Sequence, residues 1–145
     1  MEINIKLSHP DAVVPSYSMQ GDAGLDMTAV EKVVNTEHNF IEYNTGISVE
    51  LPRGFVGFIY PRSSISKTDM MLCNHVAVID SNFRGVIKLR FKLTSLLNHG
   101  SMVDYEIGDR IGQLVITPYP EITFNEVETL NPTNRNSNGF GSSGR

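Results

Sequence analysis

The stretch Gly85 to Leu93 alternates strictly: Ile87, Leu89, Phe91 and Leu93 fall on one face, Lys88, Arg90 and Lys92 on the other. Only an extended chain has a side-chain period of two, so this is a strand with one face in a core and one in water. The same period recurs. Ile3, Ile5 and Leu7 alternate with Asn4 and Lys6, and Ile47, Val49 and Leu51 alternate with Ser48 and Glu50. Phe55 to Tyr60 and Ile111 to Thr117 read as more fully buried strands, and Met27 to Val34 and Ile122 to Val127 as weaker ones. Turn signals punctuate these runs: Gly21-Asp22, Asn44-Thr45-Gly46, Pro52-Arg53-Gly54, Asn98-His99-Gly100 and Ile107-Gly108-Asp109. Many short, evenly spaced strands predict an all-β sandwich, jelly roll or barrel. One place reads as helical, Ser63 to Met71 after Pro61, with a serine as N-cap.

Composition narrows the function classes. The chain has 145 residues, which fits one domain. Lys and Arg total 12 against 16 Asp and Glu, a net charge of -4, which disfavours a protein that coats nucleic acid. One cysteine, Cys73, excludes an intrachain disulfide framework and a Cys-rich zinc site. No apolar run approaches the ~20 residues that cross a bilayer, and MEINIKLSHPD does not read as a secretory leader. The expectation is a soluble cytoplasmic protein (in host cytoplasm if viral), with no nucleic-acid or membrane partner. The βαβ pattern and the GxxxxGK[ST] loop are both absent, which excludes a Walker-type NTPase.

Four segments carry polar residues that a plain β core does not need. Pro61-Arg62-Ser63-Ser64 offers a guanidinium and hydroxyls at a strand end, suited to an anion; an ordinary helix start with a solvated arginine explains it as well. In Ala77 to Gly85, Asp80 follows three apolar residues. It can be a partly buried carboxylate that deprotonates water, or a turn-initiating aspartate. In Gly108 to Leu114, Gln113 interrupts an apolar strand, so its amide needs a buried or ligand partner, while Asp109 and Arg110 read as a structural turn. From Asn131 the chain turns polar, NPTNRNSNGFGSSGR, which reads as a tail. Yet Phe140 sits between two glycines with Arg135 five residues before it, and an aromatic ring on a polar arm is wasted unless it docks. A fifth segment, Ala23-Gly24-Leu25-Asp26, places Asp26 either toward a metal or against an arginine. The four histidines show no ligand spacing.

Taken in order, these segments resemble the five motifs of the trimeric dUTPase family: AGLDMTA, PRSSISK, AVIDSNFRG, GDRIGQLV and RNSNGFGSSG. The resemblance spans Ala23 to Gly144. It implies a jelly roll, or distorted β-barrel, with one short helix, assembled as a homotrimer with shared active sites. Residues 1–130 would form the jelly-roll domain and residues 131–145 an arm that closes over a site. The implied reaction is dUTP plus water to dUMP and pyrophosphate with Mg²⁺, which limits uracil incorporation into DNA and supplies dUMP for thymidylate synthesis. The second and fourth motifs of one subunit, the third of its neighbour and the tail of the remaining one would build each site.

By the same resemblance, Asp80 activates water for in-line attack on the α-phosphorus and Gln113 helps hold it. Arg62, Ser63 and Ser64 form a phosphate cradle; Arg135, Gly141, Ser142 and Ser143 approach the outer phosphates. Asn74 and the backbone of Val78 and Ile79 read the uracil edge. Phe83 lies beneath the deoxyribose, Phe140 stacks on uracil, and Asp26 meets Mg²⁺ through water. Lys88 is a further candidate for the substrate pocket; its stripe with Arg90 and Lys92 reads by default as a solvated face, with a subunit contact as the other alternative. Three positions depart from the family pattern: Phe83 for tyrosine, Ala77 for a hairpin glycine and Asn136 for the glycine after the tail arginine. The rival readings are a dCTP deaminase on the same fold, which needs a glutamate beside the base, and a non-catalytic, nucleotide-sensitive regulator.

Overall fold

The computed structural model describes residues 1–94 and 103–139. Ten strands occur among them: β1 Asn4–Leu7, β2 Leu25–Thr28, β3 Glu31–Asn35, β4 Phe40–Asn44, β5 Ile47–Glu50, β6 Phe55–Tyr60, β7 Met70–Leu72, β8 Ala77–Ile79, β9 Lys88–Leu93 and β10 Arg110–Pro118. They form two four-stranded sheets, β2-β10-β6-β8 and β3-β4-β9-β7, and a β1-β5 ribbon. Every pairing is antiparallel. One apolar cluster joins the sheets: Ile41, Tyr43, Leu89 and Phe91 from one, Met27, Ile59, Ile111 and Leu114 from the other. This is the expected all-β jelly roll.

The alternation in β9 is realised residue by residue, with Leu89 and Phe91 buried and Lys88, Arg90 and Lys92 exposed. The basic stripe is tied down across the sheet. Lys88 Nζ and Arg90 Nε each donate to a Glu42 carboxylate oxygen at 2.7 Å, and the Arg90 guanidinium lies over the Phe40 ring at 4.8 Å. The Lys88 hydrogen bond, offset in part by burial, and then Arg90 hold the Glu42 carboxyl below its ordinary range. Tyr43, fully buried, donates its hydroxyl to the Tyr105 carbonyl at 2.8 Å, so the largest polar side chain of the core is satisfied.

Three expectations need correction. The helix over Ser63 to Met71 is a 3₁₀ helix of five residues, Ser63–Lys67; Arg62 is its N-cap and makes no capping side-chain bond. It stops because Thr68 is already extended and Met70–Leu72 pairs with β9 as β7. Met27 to Val34 is two strands, β2 and β3, separated by Ala29 and Val30. Ile122 to Val127 forms no strand: residues 119–138 are exposed and unladdered, with Phe124 at 93% and Leu130 at 86% exposure.

Candidate active site

Register places the first group of candidates. Gln113 on β10 pairs with Asp26 on β2 and, across its other edge, with Tyr60 on β6. Arg62 follows β6 by two residues, so three adjacent strands deliver Asp26, Gln113 and Arg62 to one end of the sheet. Asp26 is 7% exposed and is the hub. Its Oδ1 accepts from Arg62 Nε at 2.9 Å and Gln113 Nε2 at 3.4 Å; its Oδ2 accepts from Ser18 Oγ at 2.7 Å and Arg110 Nη1 at 2.8 Å. Burial pushes the Asp26 carboxyl up. The Ser18 hydrogen bond, the Arg62 charge and the bonds from Gln113 and Arg62 outweigh it and leave the carboxyl below its usual range. Of the two readings of Asp26, the arginine partner is the one realised. Ser63 is exposed, and the Ser64 hydroxyl lies 3.4 Å from that of Tyr105.

A second group lines a pocket of about 410 Å³: Cys73, Asn74, Ala77, Phe83, Val86 and Lys88, among others. The turn between β7 and β8 forms one wall; it is not the expected hairpin, because β7 pairs with β9 and β8 with β6 in the other sheet. It is tight, with His75 at φ 58° and its N–H donating to the Leu72 carbonyl at 3.0 Å. β8 ends its sheet, so one row of the backbone N–H and C=O groups of Ala77–Ile79 lies outside any ladder. Phe83 packs its ring over Gly85: a Cβ there would fall 2.6 Å from Phe83 Cζ.

Asp80 stands apart from both groups. It is exposed, not partly buried as expected, because it lies just past the last β8 pair in a turn closed by Phe83 N–H to its carbonyl at 3.0 Å. It borders an open depression with Arg53, Arg84 and Glu121. Arg84 fixes the turn by donating to the carbonyls of Ser81 and Phe83 at 2.7 and 2.9 Å. In the tail, Arg135 Nε donates to the Asn138 carbonyl at 3.0 Å, and Asn136 takes the left-handed backbone (φ 43°) that asparagine tolerates. Phe140, Gly141, Ser142 and Ser143 lie outside the described residues.

A family model for dUTPase matches residues 11–144. The chain belongs to the dUTPase family. Two dUTPase relatives are each named deoxyuridine 5'-triphosphate nucleotidohydrolase. That of Escherichia phage T5 is 38% identical over 151 residues, covering 98% of this chain and 98% of the relative. That of Nocardia farcinica is 38% identical over 145 residues, covering 98% and 85%. Among solved structures, a mutant dUTPase of Staphylococcus bacteriophage 80alpha with dUpNHpp superposes with a TM-score of 0.86 at 25% identity, covering 99% of each chain. A dUTPase from phage phi11 of S. aureus, described with a structural Mg(II) ion, matches in fold with a TM-score of 0.75 at 23% identity, covering 89% of this chain and 98% of that one.

Within this dUTPase chain the fit to a metal is poor on the protein side. The described residues contain no group of three or more His, Cys, Asp or Glu able to hold an ion. A carboxylate offers about four lone-pair positions, and protein donors take all four on Asp26. A water-mediated contact of Asp26 with Mg²⁺ would compete with these donors, the weakest of which is Gln113 at 3.4 Å.

Sequence reasoning missed three contributors. Ser18 lies outside every motif. Arg110 reads as a turn residue yet reaches Asp26. Gly24 admits Gln113: a Cβ on Gly24 would stand 2.9 Å from Gln113 Cβ. Only Gly24 had a local signal, as a glycine directly before a half-buried strand.

Proposed function

We propose that this chain hydrolyses dUTP to dUMP and pyrophosphate at sites that become complete only when three copies assemble. The family match over residues 11–144 carries the reaction, which limits uracil in DNA and yields dUMP. Strand register supports the sharing of sites. Asp80 directly follows Ile79, which pairs with Gly57, whereas Gln113 pairs with Tyr60. Asp80 is thus level with Val56, four residues along β6 and two strands across from Gln113, roughly 16 Å away. One water touches only groups within about 3 Å, so Asp80 and Gln113 of a single chain cannot hold the same water. A neighbouring copy has to bring them together.

In this reading the Asp80 carboxylate takes a proton from the attacking water as its oxygen bonds the α-phosphorus. Pyrophosphate leaves in line on the opposite side. The neighbour's Gln113 orients that water, and Arg62, Ser63 and Ser64 bind phosphate oxygens, since phosphoryl transfer rests on positioning and charge neutralisation. Mg²⁺ arrives with the triphosphate as part of the substrate. Asn74 and the free edge of Ala77–Ile79 read uracil, with Lys88 on the pocket wall beyond Phe83. Residues 131–145 form an arm that brings Arg135, Phe140, Gly141, Ser142 and Ser143 over the nucleotide. No helix among the described residues is long and apolar enough to cross a membrane; we place the reaction in the cytoplasm. A deaminase needs a carboxylic acid beside the base, and no glutamate lines the pocket at the β7–β8 turn.

A panel of dUTP, dCTP, dTTP and UTP, assayed for pyrophosphate and ammonia together, tests this. Pyrophosphate from dUTP alone is the expected result; ammonia from dCTP, or no product at all, overturns it. Gly85→Ala should raise KM for dUTP about tenfold and narrow the preference over UTP, because the new methyl displaces the Phe83 ring beneath the sugar. Unchanged KM and preference would remove Phe83 from sugar recognition.

A further inference from the structure

One partner of the Asp26 hub has no place in any motif. Ser18 Oγ donates to Asp26 Oδ2 at 2.7 Å and accepts from Arg110 Nη1 at 2.8 Å. Bonds on either side fix the segment that carries this exposed serine. Asp26 N–H donates to the Ser16 carbonyl at 3.0 Å, and beyond Ser18 the Asp22 carboxylate accepts from Met19 N–H at 2.8 Å. The four donors divide cleanly, with Ser18 and Arg110 on Oδ2 and Arg62 and Gln113 on Oδ1. Without the hydroxyl, Oδ2 of a buried anion loses one of its two donors and keeps only Arg110, and Arg110 loses one of its two acceptors. A buried carboxylate does not leave such a position empty. Turning to recover a donor would carry with it Arg62 and Gln113, the two groups bonded to Oδ1.

We propose that Ser18 is a positioning residue: its hydroxyl fixes the orientation of the Asp26 carboxylate and thereby the aim of Arg62 and Gln113. The inference deepens the dUTPase reading and rests on it for its kinetic consequence. Ser18→Ala, Ser18→Thr and the neighbouring control Met19→Ala, whose side chain is exposed outside the cluster, are compared as full-length protein.

Ser18→Ala should lower kcat for dUTP about three- to tenfold with KM changed less than about twofold. Ser18→Thr, which keeps the hydroxyl, should restore it, and Met19→Ala should match the parent. A merely structural serine would lower the thermal midpoint and leave kcat of the folded enzyme alone. In the nucleotide-free protein, the NMR signals of the Gln113 side-chain amide and Arg62 Nε–H should move in Ser18→Ala and return in Ser18→Thr. Should Ser18→Ala not fold, Ser18→Cys, similar in size with a weaker donor, carries the same measurements. Parent-like kcat and unmoved signals in the hydroxyl-free variant overturn the proposal. A parent protein inert toward dUTP would sink the dUTPase reading, while the NMR comparison would still decide the role of Ser18.

Discussion

Asp80→Asn and Gln113→Ala, each nearly inactive alone, should together recover about a quarter of the parent rate when the two chains are co-expressed, because a randomly mixed trimer restores that share of its sites. A site works when the chain supplying Asp80 carries the glutamine change and the neighbour supplying Gln113 carries the aspartate change. Each condition holds half the time. The expected loss for Asp80→Asn alone is on the order of a thousandfold, as for removal of a general base. The register argument is what makes complementation possible: β8 and β10 flank β6 on opposite sides, and their candidate groups lie at opposite ends of it. Two tags, one on each variant, isolate the mixed assemblies for assay. If those assemblies are as inactive as either parent variant, a single chain builds the whole site, and the placement of Asp80 and Gln113 in different subunits is wrong.

Much of this fold was legible because a half-buried strand writes its environment into every second residue. β9 is the clearest case; β1, β5, β6 and β10 are strands as expected, but β1 is exposed throughout, β5 buries Ser48 beside Ile47 and Val49, and β6 and β10 each bury two residues in succession. β4 went unread although Ile41 and Tyr43 point inward around Glu42, because Phe40 beside Ile41 breaks the alternation and leaves only two inward positions. The segment Ile122 to Val127 failed differently. Its alternation is real, yet in one chain no neighbouring strand offers it a ladder, and a strand is defined by its partner. The motifs located Asp26, Arg62 and Gln113 but not how they meet. Ser18 and Arg110 are 92 residues apart, and no local pattern announces a contact of that span. Turn residues such as Arg110 look alike in sequence whether they face water or a buried carboxylate.

Asp26→Asn should cost about 2–3 kcal/mol of folding stability, below the usual ~3–5 kcal/mol for breaking a buried ion pair, because Arg62 and Arg110 are partly exposed and can turn to water. For a chain of this length that is a drop of roughly 5–10 °C in Tm. Hydrolysis should fall further, by about a hundredfold, since an amide offers one acceptor oxygen where the carboxylate served four donors and Arg62 and Gln113 lose their common anchor. The pH dependence separates this cause from a generic loss of packing. The folded carboxyl titrates below its unfolded counterpart, so its stabilisation is complete above the unfolded value near 3.9 and disappears as pH falls through the lower, folded value. The gap in unfolding free energy between parent and variant should therefore be flat from about pH 5 to 8 and close only in stronger acid. A gap already closing near pH 6 would assign the stabilisation to some group other than Asp26. A flat gap accompanied by unimpaired hydrolysis would leave the hub a structural clamp with no part in aiming Arg62 and Gln113.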